Sequence, residues 1–296
     1  MKYNIRHRTH YQYESPASLS HSELVLIPRN SEFQTCIQSR VSLTPEPSAR
    51  SMRQDYFGNT VINICLESPH SELDILAEAE VTLHPAARLV PDQTQPWEQV
   101  KETMMRYETP KDLEAFEFIF PSPMIRPDKE IAQWAAEIFT PGTPVLRAAL
   151  DMTHRIFTEF TYDPNATSTS TPLSKAFEIK RGVCQDFAHV GIACLRAMGL
   201  AARYVSGYLN TQPPPGKSKL VGADASHAWL SLYIPGLGWV DMDPTNDVMP
   251  KDQHITLAWG RDYGDVTPVR GTVLGGGNHR LQVAVDVMQQ QTGPAA

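Results

Sequence analysis

Cys184 lies in Arg181-Gly182-Val183-Cys184-Gln185-Asp186-Phe187-Ala188-His189, just ahead of a long small-and-apolar stretch. Downstream come Ser226-His227-Ala228-Trp229 and then Trp239-Val240-Asp241-Met242-Asp243-Pro244-Thr245-Asn246. A free thiol has a pKa near ~8.5, so little of it is thiolate at neutral pH. The positive end of a helix and a nearby histidine both favour the thiolate, and a carboxylate can orient that histidine. In this order the three residue types suit an activated nucleophile that attacks a carbonyl. Gly182 lets backbone approach closely before the thiol, and the Cys184 N–H at a helix start can serve as an oxyanion donor.

Secondary structure must bring these residues together. Helical spacing predicts a helix from about Cys184 to Met198, with Gly199 in the position of a C′ glycine. Earlier helices are expected from near Asp128 to Pro141, over Val145–Phe160, and briefly over Pro172–Lys180. Strands are expected at 201–209, 225–234 and 239–243, with Pro235-Gly236-Leu237-Gly238 as the reversal between the last two. By the period of two, His227, Trp229, Ser231 and Tyr233 share a face, as do Trp239, Asp241 and Asp243. An antiparallel register that pairs Trp229 with Asp243 makes His227 and Asp243 diagonal neighbours, about 7–8 Å apart at the backbone. Asp241 shares that parity, so spacing leaves it as a rival orienter.

The first 85 residues read as β, with turns and short alternating runs near 3–13, 22–29, 38–45, 61–66 and 72–83, and suggest a sandwich-like module. Residues 86–126 read as irregular and proline-punctuated. A last strand is expected at 280–288 after the flexible Gly275-Gly276-Gly277. The resulting division is an N-terminal β domain (1–85), a connecting segment with a helix (86–144), a catalytic core (145–265) and a C-terminal strand and tail (266–296). The fold class is α+β, with the nucleophile helix packed on an antiparallel sheet.

Composition narrows the classes of function. The formal net charge is −7, from 26 basic and 33 acidic residues, which argues against nucleic acid and anionic membranes as partners. No window approaches the ~20 apolar residues of a membrane span. Met1–Arg8 carries charge with no apolar run behind it, so no secretory peptide is expected. Four cysteines in 296 residues do not make a disulfide scaffold, and a reducing cytoplasm is the expected compartment. Neither a Cys-x-x-Cys nor a His-x-x-x-His pair exists, so neither metal nor other cofactor is expected. Oligomeric state stays open.

At these motifs the sequence resembles the bacterial transglutaminase-like superfamily, a branch of the papain-like cysteine enzymes. Gly182–His189, Arg203–Tyr208, Asp224–Trp229 and Gly238–Asn246 carry the likeness over 145–265. Tyr11-Gln12-Tyr13 and Leu26-Ile27-Pro28-Arg29 are similar to the β module that precedes this core in one bacterial subfamily. The resemblance implies Cys184 as nucleophile, His227 as general base and acid, and Asp243, not Asp241, as orienter. It implies attack on the amide of a protein or peptide substrate, a thioester, and transfer to water or to an amine. Hydrolysis is the first expectation; glutamine transamidation and a non-catalytic binding module are the alternatives. Gln185, Tyr208, Asp224 and Trp229 are further candidates for an oxyanion donor or the substrate cleft.

Overall fold

The computed structural model describes residues 1–85, 89–106, 108–211 and 226–290. The first strands are β1 (Lys2–Leu24), β2 (Gln34–Thr44), β3 (Ala49–Gln54), β4 (Thr60–Leu66) and β5 (His70–Leu83). Helices α1 (Trp97–Met104), α2 (Pro110–Phe116), α3 (Lys129–Ala136) and α4 (Val145–Glu159) follow. Next come β6 (Thr161–Tyr162), α5 (Leu173–Ile179), β7 (Arg181–Gly182) and α6 (Cys184–Ala197). The chain continues through β8 (Ala202–Leu209), β9 (Ser226–Ile234), β10 (Gly238–Met242), β11 (His254–Gly260), β12 (Val269–Gly275) and β13 (His279–Gln289).

The N-terminal strands are longer than their turn-rich sequence suggests. β1 runs straight through Ser15-Pro16, where two separate strands were expected. β4 and β5 lie end to end along one edge of it, from Leu24 opposite Ile62 to Lys2 opposite Thr82. β12 and β13 do the same along the other edge, from Leu24 opposite Val269 to Tyr3 opposite Gln289. β2 and β3 flank β5 and β4 in the same manner. The sheet is therefore four long bent ribbons, with strand breakers at one level: Pro16, Pro45 and Pro47, Pro69, and Gly276-Gly277. Proline and positive-φ glycine interrupt the ladder there; β1 continues through Pro16, and in the other three ribbons one strand ends and the next begins in line with it. The expected last strand is present and belongs to this sheet, beside the first strand of the chain.

The second sheet has the order β10-β9-β8-β11, all antiparallel. Its Leu230, Leu232, Ile234, Val240 and Met242 join Phe187, Val190, Ile192 and Leu195 of α6 and Leu146, Met152 and Ile156 of α4 in the main core. Gly191 makes the helix–sheet approach close: a Cβ there would meet Leu230 Cδ2 at 2.3 Å. α6 starts and stops as its sequence predicts, with Gly199 at φ 80° after its last turn. Asp128 caps α3 through Oδ1, which accepts from the amides of Glu130 and Ile131.

Two helices occupy the stretch read as irregular. α1 buries only Val100 and Met104 and has no side-chain cap, so its signal is faint. α2 begins at a Thr109–Asp112 capping box with Pro110 behind it, a legible motif that was passed over. β11 and β12 also lie where no strand was expected. β12 is exposed almost throughout and lacks the alternation that marks a half-buried strand.

A third apolar cluster joins the two sheets. Tyr3, Ile5, Val81, Leu83, Val285 and Val287 of the long sheet meet Tyr208, Ile255 and Leu257 of β8 and β11. Two side-chain amides complete the outer edge of β11. Gln34 donates to Thr256 O at 2.7 Å and accepts from Thr256 N at 2.8 Å. Asn59 does the same for Trp259, at 2.8 and 3.0 Å. Arg29, from Leu26-Ile27-Pro28-Arg29, lies over the Trp259 ring at 3.1 Å, and Arg203 lies 3.7 Å from that ring's centre. Burial lowers both guanidiniums, to about 10 and about 9.

Candidate active site

Cys184 is the first residue of α6, so its amide precedes the helical ladder and has no i−4 carbonyl partner. Its side chain is partly exposed, whereas the following turns are buried. Asp186, one turn in, sets the helix start: its Oδ2 accepts from Val183 N at 2.8 Å and from Thr167 Oγ1 at 2.7 Å. Gly182 is required because a Cβ there would fall 2.4 Å from that same oxygen.

The register of β9 and β10 is the even one. Asp241 stands opposite Ser231 and Met242 opposite Leu230, so the next step sets Asp243 level with Trp229. His227 Nε2 donates to Asp243 Oδ2 at 2.7 Å. Cys184 lies near enough to the imidazole to act on its protonation. Burial alone would lower the His227 pKa; the bond to Asp243 and the influence of the Asp243 and Cys184 charges override it and raise it to about 10. Burial likewise disfavours the Asp243 carboxylate, yet His227, His254 and Asn246 hold it well below the usual carboxylate range.

Asp243 is fully buried, and both its oxygens are occupied. Oδ1 accepts from the amides of Thr245 and Asn246 at 2.9 and 3.3 Å, the Asx turn that Asp-Pro-Thr-Asn favours. Oδ2 accepts from His227, from Asn246 Nδ2 at 2.6 Å and from His254 Nε2 at 2.9 Å. The turn thus aims one oxygen at the site by holding the other. Asp241 does different work: it accepts from Trp229 Nε1 at 2.9 Å and Ser231 Oγ at 2.5 Å.

The remaining candidates divide. Gln185 is buried and donates its amide to Thr169 O at 3.4 Å. Tyr208 and Trp229 are 1% and 0% exposed, so they brace the site from behind and do not line a cleft. The Tyr208 hydroxyl bonds His7 Nδ1 at 2.9 Å, and the Trp229 ring stands edge-on to His254 at 5.2 Å. Asp224 lies outside the described residues. His189 packs on Tyr204 and accepts from Tyr263 N at 3.2 Å, a packing role as its position suggested. His254 was missed. The signal was the alternating His254-Ile255-Thr256-Leu257, a strand-like run with a histidine at its head.

Among the described residues, His227, Asp243 and His254 form the one group of such side chains close enough together to hold a metal ion. Their 2.7 and 2.9 Å separations are those of N–H···O hydrogen bonds, with the Nε2 protons in place. No helix among the described residues is long and apolar enough to cross a membrane.

A thiol at a helix start, beside an imidazole that is hydrogen-bonded to a buried carboxylate on an antiparallel sheet, fits a papain-like cysteine enzyme fold. The chain belongs to the transglutaminase-like superfamily. Residues 132–244 match the transglutaminase-like superfamily pattern, and residues 3–82 match the bacterial transglutaminase-like N-terminal region. An uncharacterised Mycobacterium tuberculosis protein is 37% identical over 295 residues, covering 97% of this chain and 92% of the relative. A Pseudomonas aeruginosa protein-glutamine gamma-glutamyltransferase is 34% identical over 93 residues, 31% of this chain and 14% of that protein. A solved Cytophaga hutchinsonii structure, provisionally assigned as a cysteine protease, has the same fold. It superposes with a TM-score of 0.77 at 23% identity, covering 99% of this chain and 93% of that one.

Proposed function

We propose that the protein is a cysteine hydrolase that cleaves an amide or peptide bond through Cys184, His227 and Asp243. The observation that carries this reading is His227, hydrogen-bonded to the buried Asp243 and electrostatically coupled to Cys184 at the start of α6. The thiolate attacks the carbonyl carbon, and the tetrahedral oxyanion lies near the free Cys184 N–H. His227 passes its Nδ1 proton to the leaving amine, the C–N bond breaks and a thioester remains. Water, relieved of a proton by His227, attacks the thioester; the carboxylic acid leaves and the thiol is restored.

Water as acceptor is supported by the likeness to the Cytophaga protein along the whole chain, N-terminal module included. An amine acceptor is the second reading, favoured by the P. aeruginosa gamma-glutamyltransferase, whose likeness spans 93 residues. The expected substrate is a protein or peptide, with no role for nucleic acid or a membrane. Cys36, Cys65, Cys184 and Cys194 are all free thiols, which suits a reducing cytoplasm.

Site-resolved alkylation by iodoacetamide at pH 7 tests the nucleophile. Cys184 is expected to react at least 10-fold faster than Cys36, and equal rates would refute an activated thiolate. A peptide library, incubated with and without a primary amine, tests the acceptor. Acid products that need Cys184 support hydrolysis; amine incorporation in their place establishes the second reading.

A further inference from the structure

We infer that His254 is a positioning residue of this site, a second imidazole that holds Asp243 Oδ2 so that His227 can release its proton. The inference rests on the proposed hydrolase reading for its purpose, though not for its geometry. His254 comes from β11, beyond the matched core of residues 132–244. Its Nε2 lies 2.9 Å from Oδ2, the oxygen that also accepts from His227. Its side chain is 5% exposed, with Trp229 edge-on at 5.2 Å and the His227 ring at 5.8 Å.

The protonation state follows from the surroundings. Nε2 faces a carboxylate and therefore carries the proton. Nδ1 is buried and has no hydrogen-bond partner among the described residues. Nε2 is therefore the nitrogen that donates to Asp243, and a further donor at Nδ1 would be buried without a partner. Asp243 is bonded by His227, His254, Asn246 and the Thr245 amide; His227 is faced by Asp243, Cys184, Asn246 Nδ2 at 3.3 Å and the rings of Trp229 and His254.

The proton step shows what this donor is for. While His227 is an imidazolium, Asp243 has a cationic partner. Once His227 gives its proton to the leaving amine, a buried carboxylate remains beside a neutral ring. The N–H of His254 still points at Oδ2 in that state, and its dipole stabilises the charge. Without it, the Asp243 charge would favour the His227 imidazolium more strongly, and donation of the other ring proton to a leaving amine would slow.

Glutamine and phenylalanine separate this role from packing. Glutamine can bring an amide N–H to about the place of Nε2; phenylalanine keeps a ring against Trp229 but has no donor. His227 is titrated by NMR in a Cys184→Ala background, so the readout does not depend on any activity. His254→Phe should raise the His227 midpoint by about one unit, and His254→Gln should leave it within about 0.3. Equal midpoints in all three proteins, or a fall in His254→Phe, would overturn the inference. Should the phenylalanine variant not fold, His254→Asn, whose amide is too short to reach Oδ2, supplies the same contrast with glutamine.

With Cys184 present, cleavage of a peptide p-nitroanilide should fall about 10-fold in kcat for His254→Phe, matching that one-unit shift, with KM unchanged. Acylation by p-nitrophenyl acetate, whose leaving group needs no proton, should stay within twofold. An equal loss in both reactions would point to packing and count against the inference. Absence of anilide cleavage in the unaltered protein would refute the hydrolase reading alone, and the His227 midpoint would still decide the role of His254.

Discussion

Asp243 takes five hydrogen bonds on two oxygens, and that asymmetry separates it from Asp241 two residues earlier. Both carboxylates share a face by strand parity, so alternation alone could not choose between them. The choice is made by Asp-Pro-Thr-Asn, whose turn fixes Oδ1 and turns Oδ2 toward His227. Linkage gives the pair a pH window. The lowered Asp243 pKa contributes stability above its unfolded value near 3.9, and this is lost as the pH falls below it. The raised His227 pKa contributes stability below about 6.5, and this is lost as the pH climbs toward 10. Asp243→Asn should therefore cost most near pH 5–6, about 3 kcal/mol, and much less at pH 9. Urea unfolding of both proteins at the two pH values measures the difference; a cost that grows with pH would refute the account. Asp241→Asn should spare rapid alkylation of Cys184, whereas Asp243→Asn should slow it.

At the scale of elements, two close approaches position the nucleophile and its partners: α6 on β9 at Gly191, and β8 against β11 and Trp229 at Gly207. The nucleophile helix was legible because its glycine stop and apolar run are local signals. The β9–β10 register was legible because alternation permits only even pairings when one face must hold His227 and Asp243. β11 carried a short local signal, the alternation from His254 to Leu257, but its place in the fold was not legible, since its edge is completed by Gln34 and Asn59, side chains some 200 residues away in sequence. The bent ribbons were hidden for a related reason: Pro16 and Pro69 read locally as strand ends, and only the long-range ladders carry the chain past them. Gly207 shows how tight the assembly is. A Cβ there would meet Ile255 O at 2.2 Å and Trp229 Cη2 at 2.5 Å. The carbonyl is backbone and cannot turn aside, so Gly207→Ala should cost at least about 2 kcal/mol. The displaced Trp229 ring also packs on His254, so alkylation of Cys184 should slow along with the loss in stability. An alanine variant with unaltered stability and thiol reactivity would show that the packing relaxes freely.

At the scale of the molecule, the N-terminal module is part of the scaffold that holds the candidate site. The strand that carries His254 is an edge strand, and an edge presents unpaired N–H and C=O groups. Gln34 and Asn59 pair those of Thr256 and Trp259, Arg29 covers the Trp259 ring, and Tyr3 and Ile5 pack on Ile255 and Leu257. The module therefore fixes the strand whose first residue holds Asp243. Gln34→Ala and Asn59→Ala each strip a partly buried edge of two hydrogen bonds, and each should destabilise the chain by about 1–3 kcal/mol. Both side chains also bond Arg29, so the double variant should depart from the sum of the two. A module that served only to recruit substrate would predict changes below about 0.5 kcal/mol, with thiol reactivity untouched. Denaturant unfolding read beside Cys184 alkylation distinguishes the two cases, because loosening β11 should lower stability and relax the hold of His254 on Asp243 together.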